Sequence, residues 1–341
     1  MNKHNNWRIN GLPMLIAEIG GNHEGDFNKA LKMLELAIRS GVDCVKFQLY
    51  SGDSLVNKEL SPSRNLHFKK FELTKDQHIK LAKICFDNKI LYNASVWDLE
   101  MLDWIDEYLS FYKIGSGDLT AWPIIREFAL RNKPIILSTG LSSEKEVLET
   151  IDFIQKINPN YHNPEMLCIL QCTSMYPIPN SFANLNVMDR LKSITGLTVG
   201  YSDHTICDTA LKTAATMGAS VLEFHFTDNR QGKDFRDHQV SLTCDEVLAL
   251  KKYIKTVIEL KGDSFKSLQS VEIDNNHHIS FRRGIYTKLK IKKGEILNFN
   301  DLVFLRPCEG TSAKDFNLVV GAKAIKDIEP LFPIKHNIDF K

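Results

Sequence analysis

His204 and His225 each stand at the end of a short apolar, β-rich run, in the strings Tyr201-Ser202-Asp203-His204-Thr205 and Glu223-Phe224-His225. Two imidazoles converging from neighbouring strand ends can hold a divalent metal and leave positions open for water and substrate. The plainer alternative is that one histidine caps a helix and the other packs against it. Glu18 ends the first such run, so a barrel that brings that run beside the last one places a carboxylate at the same point. Lys46 and Lys113 lie inside two other β-like runs. A lysine is seldom buried unpaired, so two in a closed interior call for an anion; otherwise they snorkel at strand ends. Gly115-Ser116-Gly117 before a helix offers N–H groups and a hydroxyl to a phosphate, although most such turns are only tight turns. Asp234, Asp237 and His238 read as loop charges facing solvent, as do Arg282 and Arg283, whereas Arg306 is held beside Pro307 after the run Val303–Leu305.

Eight apolar runs could position these groups: Met14–Ile19, Val42–Leu49, Ile90–Ser95, Phe111–Gly115, Pro134–Ser138, Met166–Gln171, Leu197–Gly200 and Ser220–His225. Segments of helical period separate most of them. Asn28–Arg39 gathers Ala30, Met33, Leu34, Ala37 and Ile38 on one face, and Asp76–Phe86 gathers Ile79, Ala82, the Lys83 stem and Phe86. Ser143 and Glu146 form a capping-box pair at the start of a helix over Ser143–Ile157. Continuous apolar strands alternating with amphipathic helices predict a parallel sheet covered by helices, and eight units fit a (β/α)8 TIM barrel. A doubly wound open sheet is the competing solution, but Gly20-Gly21-Asn22-His23-Glu24-Gly25 stands where its glycine fingerprint would be. The rhythm ends near residue 262. The expected organisation is a barrel over 1–265, a polar linker over 266–280 that could span about 40 Å if its last thirteen residues were extended, and a small, mainly β domain over 281–341.

The 341 residues carry a formal net charge of only +1, which gives no global case for nucleic acid or a membrane surface. Locally, residues 281–341 sum to +5 and the rest to −4, so a basic tail follows a mildly acidic body; the tail lacks the interleaved aromatics of a nucleic-acid binder. No apolar run is long enough to span a bilayer, and the N-terminal MNKHNNWRIN has no apolar leader core. Seven scattered cysteines without a CxxC pair read as free thiols of a reducing, cytoplasmic compartment.

The ordered strings Ala17–Gly25, Val45–Gln48, Tyr112–Asp118, Ile136–Gly140, Tyr201–Thr205 and Glu223–Thr227 resemble the N-acetylneuraminate (sialic acid) synthase family. The tail from Arg283 to Ala324 looks like that family's antifreeze-like (SAF) domain. The resemblance implies condensation of phosphoenolpyruvate with an N-acylhexosamine, of the N-acetylmannosamine type, to a nine-carbon 2-keto sugar acid. It implies a divalent metal on His204 and His225: manganese, with magnesium or cobalt as substitutes. By the same resemblance Lys46, Lys113, Ser116, Ser174 and Ser202 would hold phosphoenolpyruvate, and Glu18, Glu223, Gln48 and Tyr176 would line the reacting centre. Arg306 would reach the acceptor sugar in the barrel of a partner chain in a domain-swapped homodimer. Three places depart from the family pattern. Ala94-Ser95-Val96-Trp97 replaces Ser-Thr-Pro-Phe, which makes Ser95 the phosphate contact there. Ser174 stands where Asn is frequent. Gly232–His238 lengthens a Gly-Pro-Asp-His turn, with Asp237 the better match for its acid and Asp234 the alternative. These departures admit a legionaminate or pseudaminate synthase acting on a 2,4-diacetamido sugar, and a non-catalytic sugar-binding or coat-associated protein on the same scaffold is a further reading.

Overall fold

The computed structural model describes residues 7–341; the first six, part of the stretch read above as lacking a leader core, lie outside the described residues. Eight parallel strands form the barrel sheet, β1 Leu12–Glu18, β2 Cys44–Leu49, β3 Leu91–Val96, β4 Tyr112–Ile114, β5 Ile135–Ser138, β6 Leu167–Cys172, β7 Thr198–Asp203 and β8 Val221–His225, and the two residues Arg8–Ile9 add a short antiparallel strand beside β1. The order β3-β2-β1-β8-β7-β6-β5-β4 is that of a (β/α)8 barrel, nearly closed. Among the described residues no ladder joins β3 to β4. There the Asn93 side-chain amide donates to the Phe111 carbonyl at 2.7 Å and spans the seam.

The outer layer is α1 Phe27–Ser40, α2 Lys75–Asp87, α3 Leu99–Ile105, α4 Trp122–Arg131, α5 Glu144–Ile157, α6 Val187–Thr195, α7 Thr209–Met217 and α8 Cys244–Lys261. Local sequence sets their ends. Asp26 caps α1 by accepting from the Asn28 and Lys29 amides, and Gly41 ends it at φ 72°, where glycine alone is unstrained. The Ser143–Glu146 capping box opens α5 as expected. On α2 the buried face is His78, Leu81, Ala82 and Cys85, whereas Lys83 and Phe86 point to solvent. The face expected from apolar spacing is rotated because His78 is satisfied inside, with Nδ1 2.7 Å from the Tyr92 hydroxyl.

Alternation along the strands divides the lumen. Met14, Ile16, Cys44, Phe111, Ile136, Cys168, Leu170 and Val221 form an apolar plug at the N-terminal end, closed below by Trp7, whose Nε1 donates to Pro164 O at 2.9 Å. Two residues further along the same strands the inward positions turn polar. A second, larger core lies between sheet and helices.

The chain divides into two compact units at Gly262/Asp263. In the second, β9 Gly284–Thr287 pairs antiparallel with β10 Leu302–Leu305 over a core that includes Ile285, Leu297, Val319, Ile334 and Phe340. The segment expected as an extended connector instead holds two short helices, Ser270–Asp274 and His277–Ser280. Gln269 and Glu272 cap the first, and Asn276 at φ 54° turns the chain into the second, so the reach of an extended strand is not available. No helix among the described residues is long and apolar enough to cross a membrane, and every cysteine is free.

Burial holds His78 at a pKa of about 3 and His23 at about 4. Both are neutral when folded, while the unfolded chain protonates them below about pH 6.5. Stability should therefore be full above that pH and fall as the pH drops towards 4, by up to about 1.4 kcal/mol per pH unit for each histidine. His78→Gln should remove about one proton's worth of that slope. Urea unfolding between pH 7 and 5 measures it, and an unchanged slope would refute the assignment.

Candidate active site

The polar ends of the strands meet in a cavity of about 1370 Å³ at the C-terminal mouth of the barrel. β1 delivers Glu18, β2 Lys46 and Gln48, β3 Ser95, β4 Lys113, β5 Ser138, and β8 Glu223 and His225, all on lumen-facing positions of their strands. The register pairs Glu18 with both Lys46 and His225, so β1 lies beside β8 as the barrel reading requires.

Glu223 is shared by the two lysines. One oxygen lies 3.2 Å from Lys46 Nζ and the other 3.2 Å from Lys113 Nζ. Lys46 also pairs closely with Glu18 and reaches Ser95 Oγ at 3.2 Å; Lys113 donates to Ser138 Oγ at 2.8 Å. Gln48 Nε2 donates to Glu18 Oε1 at 3.0 Å. The lysines are 4–5 % exposed, which excludes the snorkelling alternative. Burial pushes the Glu223 carboxyl up, but Lys113 and Lys46 pull it well below the usual carboxylate range. Burial and the nearby Glu223 raise the Glu18 carboxyl despite Lys46. Burial alone would lower the Lys46 ammonium, yet its two carboxylate partners keep it high.

The two imidazoles sit 5.3 Å apart, centroid to centroid, with Tyr176 against both at 4.0 and 5.5 Å. His204 Nδ1 faces the Thr173 carbonyl at 2.9 Å. That bond fixes the tautomer and leaves Nε2 as a free lone pair. Burial lowers both histidines, His225 strongly, so both are neutral, the state a metal needs. His225 Nδ1 is buried with no hydrogen-bond partner, and Asp237 Oδ2 lies 3.9 Å from it. Neutral imidazoles with such an orphaned nitrogen fit a divalent ion. Among the described residues no group of three or more His, Cys, Asp or Glu is arranged to hold one, so the two imidazoles are the donors the site offers.

Ser116 and Ser174 meet at Gly140. The Gly140 amide donates to Ser116 Oγ at 3.0 Å, and a Cβ on Gly140 would fall 2.3 Å from Ser174 Oγ and 2.7 Å from Ser116 Oγ. Ser202 lines the same cavity, and its hydroxyl and that of Ser116 lie beside the Cys172 thiol. Asp237 is buried and lines the cavity; Asp234 lines it too. Arg306 belongs to the C-terminal unit, exposed, with its guanidinium 5.9 Å over the Phe281 ring. Sequence reasoning passed over Ser138, Cys172, Trp97, Phe235 and Arg236 as site residues. Ser138 was recoverable from its place at a strand end. Phe235 and Arg236 carry no such mark. The short helices Gly52–Leu55 and Pro62–Phe71, which add Leu55, Arg64, His67 and Phe68 to the cavity wall, lay in a stretch with no clear period.

A (β/α)8 barrel with paired cations, carboxylates and neutral histidines at the strand C-termini is laid out as an enzyme for an anionic substrate. More particularly, the chain belongs to the NeuB family, whose model matches residues 33–266, and a SAF domain model matches residues 282–336. It is 34% identical to N,N'-diacetyllegionaminic acid synthase of Campylobacter jejuni over 92% of this chain and 96% of that one. It is 29% identical to human N-acetylneuraminate-9-phosphate synthase over 92% and 89%. Among solved structures, N-acetylneuraminic acid synthetase of Leptospira borgpetersenii, in complex with citrate, matches with a TM-score of 0.71 and 26% identity over 78% of this chain and 90% of that one. Its relatives include synthases of legionaminic, sialic and pseudaminic acids, and also a spore coat polysaccharide biosynthesis protein of Bacillus subtilis.

Gly140→Ala should push Ser116 and Ser174 apart. If both serines hold the anion, losing two hydroxyl contacts at about 1 kcal/mol each predicts roughly thirtyfold weaker phosphoenolpyruvate binding in calorimetry. Unchanged affinity would show that these serines do not touch the anion.

Proposed function

We propose that the protein condenses phosphoenolpyruvate with an N-acylhexosamine of the N-acetylmannosamine type to give a nine-carbon 2-keto sugar acid. The observation that carries this reading is the buried Lys46–Glu223–Lys113 bridge inside the barrel mouth. Lys46, Lys113, Ser116, Ser174, Ser202 and Ser95 would take the phosphate and carboxylate of phosphoenolpyruvate. As the anion arrives, the lysines can exchange part of their hold on the carboxylates for it, and Glu18, whose carboxyl is raised, can keep a proton and limit the negative charge. C3 of phosphoenolpyruvate forms the new bond to the acceptor aldehyde carbon, water adds at C2, and phosphate leaves by C–O cleavage. Glu223, Glu18, Gln48 and Tyr176 would orient the reacting groups, so positioning and electrostatics supply most of the rate. A divalent metal on His204 and His225, manganese first, would supply Lewis acidity towards a carbonyl oxygen. Asp237 would bind the acceptor. Arg306 would do so from a second chain in a homodimer, a reading supported by the basic tail and acidic body.

A second reading takes a 2,4-diacetamido-trideoxyhexose as acceptor, and the 34% identity to a diacetyllegionaminic acid synthase favours it. Phosphate release from phosphoenolpyruvate with a panel of both acceptor types decides between them, and no release with any acceptor refutes the activity. Lys113→Ala should weaken phosphoenolpyruvate by about 1.5–3 kcal/mol and the acceptor far less; equal losses would indicate a folding defect. His225→Ala and exhaustive chelation should both abolish turnover, and full activity after chelation would remove the metal from the scheme. Mixing inactive His225→Ala and Arg306→Ala chains should restore activity if sites are shared; no recovery in verified mixed dimers would refute sharing.

A further inference from the structure

Four consecutive residues of the loop after β8 each reach a different neighbour. Phe235 packs against Phe71 and His67 at ring-centroid distances of 5.1 and 5.9 Å, and its ring lies 3.1 Å from where a Cβ on Gly21 would stand. The Arg236 guanidinium lies 4.8 Å over the Tyr176 ring. Asp237 faces His225 at 3.9 Å. His238 is fully buried, with Nδ1 2.7 Å from Thr227 Oγ1 and Nε2 3.3 Å from Glu24 Oε1.

Beneath them runs a buried one-way chain of hydrogen bonds. Asn22 Nδ2 donates to the Phe226 carbonyl and to Ser241 Oγ, both at 2.8 Å, and Ser241 Oγ donates in turn to the Asp237 carbonyl at 2.6 Å. Asn22 and Ser241 are 0 and 1 % exposed. None of these groups lines the cavity, so the proposed chemistry leaves them unused. Among the described residues the Asp237 carboxylate has a single ion-pair partner besides His225, the largely exposed Arg236 at 3.3 Å. What fixes the direction of Asp237 is therefore its backbone, gripped on one side through Asn22 and Ser241 and on the other through Glu24 and His238.

We propose that Asn22, Ser241 and the Glu24–His238 pair are positioning residues for acceptor recognition, locking the loop after β8 onto the loop after β1 so that Asp237 presents its carboxylate to the sugar at a fixed place. This rests on the reading of Asp237 as an acceptor-binding acid. A displacement of about an ångström in such a group weakens a bound geometry by one to two orders of magnitude. None of the four lines the cavity, whereas Lys46, Lys113, Ser116, Ser174 and Ser202 do, so a change in the grip should act on the acceptor through Asp237 and leave phosphoenolpyruvate alone.

The test is steady-state kinetics on the full chain with phosphoenolpyruvate and whichever acceptor the wild type turns over. Ser241→Ala and Glu24→Ala should each raise the acceptor KM about tenfold or more, with the phosphoenolpyruvate KM within about twofold of wild type. Glu24→Gln, which keeps an oxygen towards His238, should recover most of the loss. Asp237→Asn combined with Ser241→Ala should be no worse than Asp237→Asn alone, since both act through one group. Parallel rises in both KM values, an unchanged acceptor KM, or additive losses would overturn the proposal. Should Ser241→Ala fail to fold, the partly exposed Glu24 still gives the comparison between its Ala and Gln variants. A wild type inert with every acceptor refutes the activity itself and the positioning role with it, whereas an active wild type with unaffected variants refutes the positioning alone.

Discussion

Glu223 holds two buried ammonium groups at once, and the rest of the site is arranged around that bridge. An ion pair in a closed interior costs desolvation on every member, and removing one partner leaves an unpaired charge worth about 3–5 kcal/mol. The cluster tolerates burial because the lysines have second partners in Glu18, Ser95 and Ser138. It also crosses the lumen. Glu223 on β8 reaches Lys113 on β4, four strands away along the sheet order and next to the seam where ladder bonds are missing. The same contacts that prepare an anion site thus help to tie the barrel across its one weak side.

Such a cluster is possible only because the lumen is divided along its axis. Residues of the same strands alternate inward, Ile16 then Glu18, Cys44 then Lys46, Phe111 then Lys113, Ile136 then Ser138, Val221 then Glu223. The apolar plug and Trp7 shut out water from below, which raises the strength of every electrostatic contact above it. The charges have water and ligand on one side only. That one-sidedness directs the lysines towards whatever anion enters from the mouth.

Much of this was legible in the residues. A lysine inside a β-like run, a glutamate ending the first run and histidines ending the last two have few other uses in a parallel barrel, and the register places Glu18 beside His225 as expected. What spacing could not give were features decided by tertiary partners. His78 is buried on α2 because Tyr92 is there to receive it, which no helical period reveals. The segment 266–280 is mostly polar, and its capping residues, Gln269 with Glu272, are what signal that part of it is helical. Cys172 joins the site through the hydroxyls of Ser116 and Ser202, which stand far apart in sequence. Asp234, Asp237 and His238 looked like solvated loop charges, yet Asp237 and His238 are buried.

That last difference shows how the mouth is finished. A loop of thirteen residues between Thr227 and Ser241 would ordinarily be mobile, and a mobile carboxylate discriminates poorly between sugars. Here the loop is returned to the barrel at both ends: Leu242 N meets the His225 carbonyl at 2.8 Å, and Arg230 braces Ser241 O at 3.1 Å while gripping Glu246 on α8. Between those ends, Phe235 turns to the helix Pro62–Phe71, Arg236 to Tyr176 and His238 to Glu24, which leaves Asp237 as the residue aimed at the His225 side of the cavity. The strands thus fix the lysine end of the site through charge, and the loop holds Asp237 through ring packing, hydrogen bonds and the Arg230–Glu246 pair. The two ends can diverge independently, because a change in the loop need not disturb the buried lysines. A family whose members share the barrel and differ in the sugar acid they make is what that separation permits.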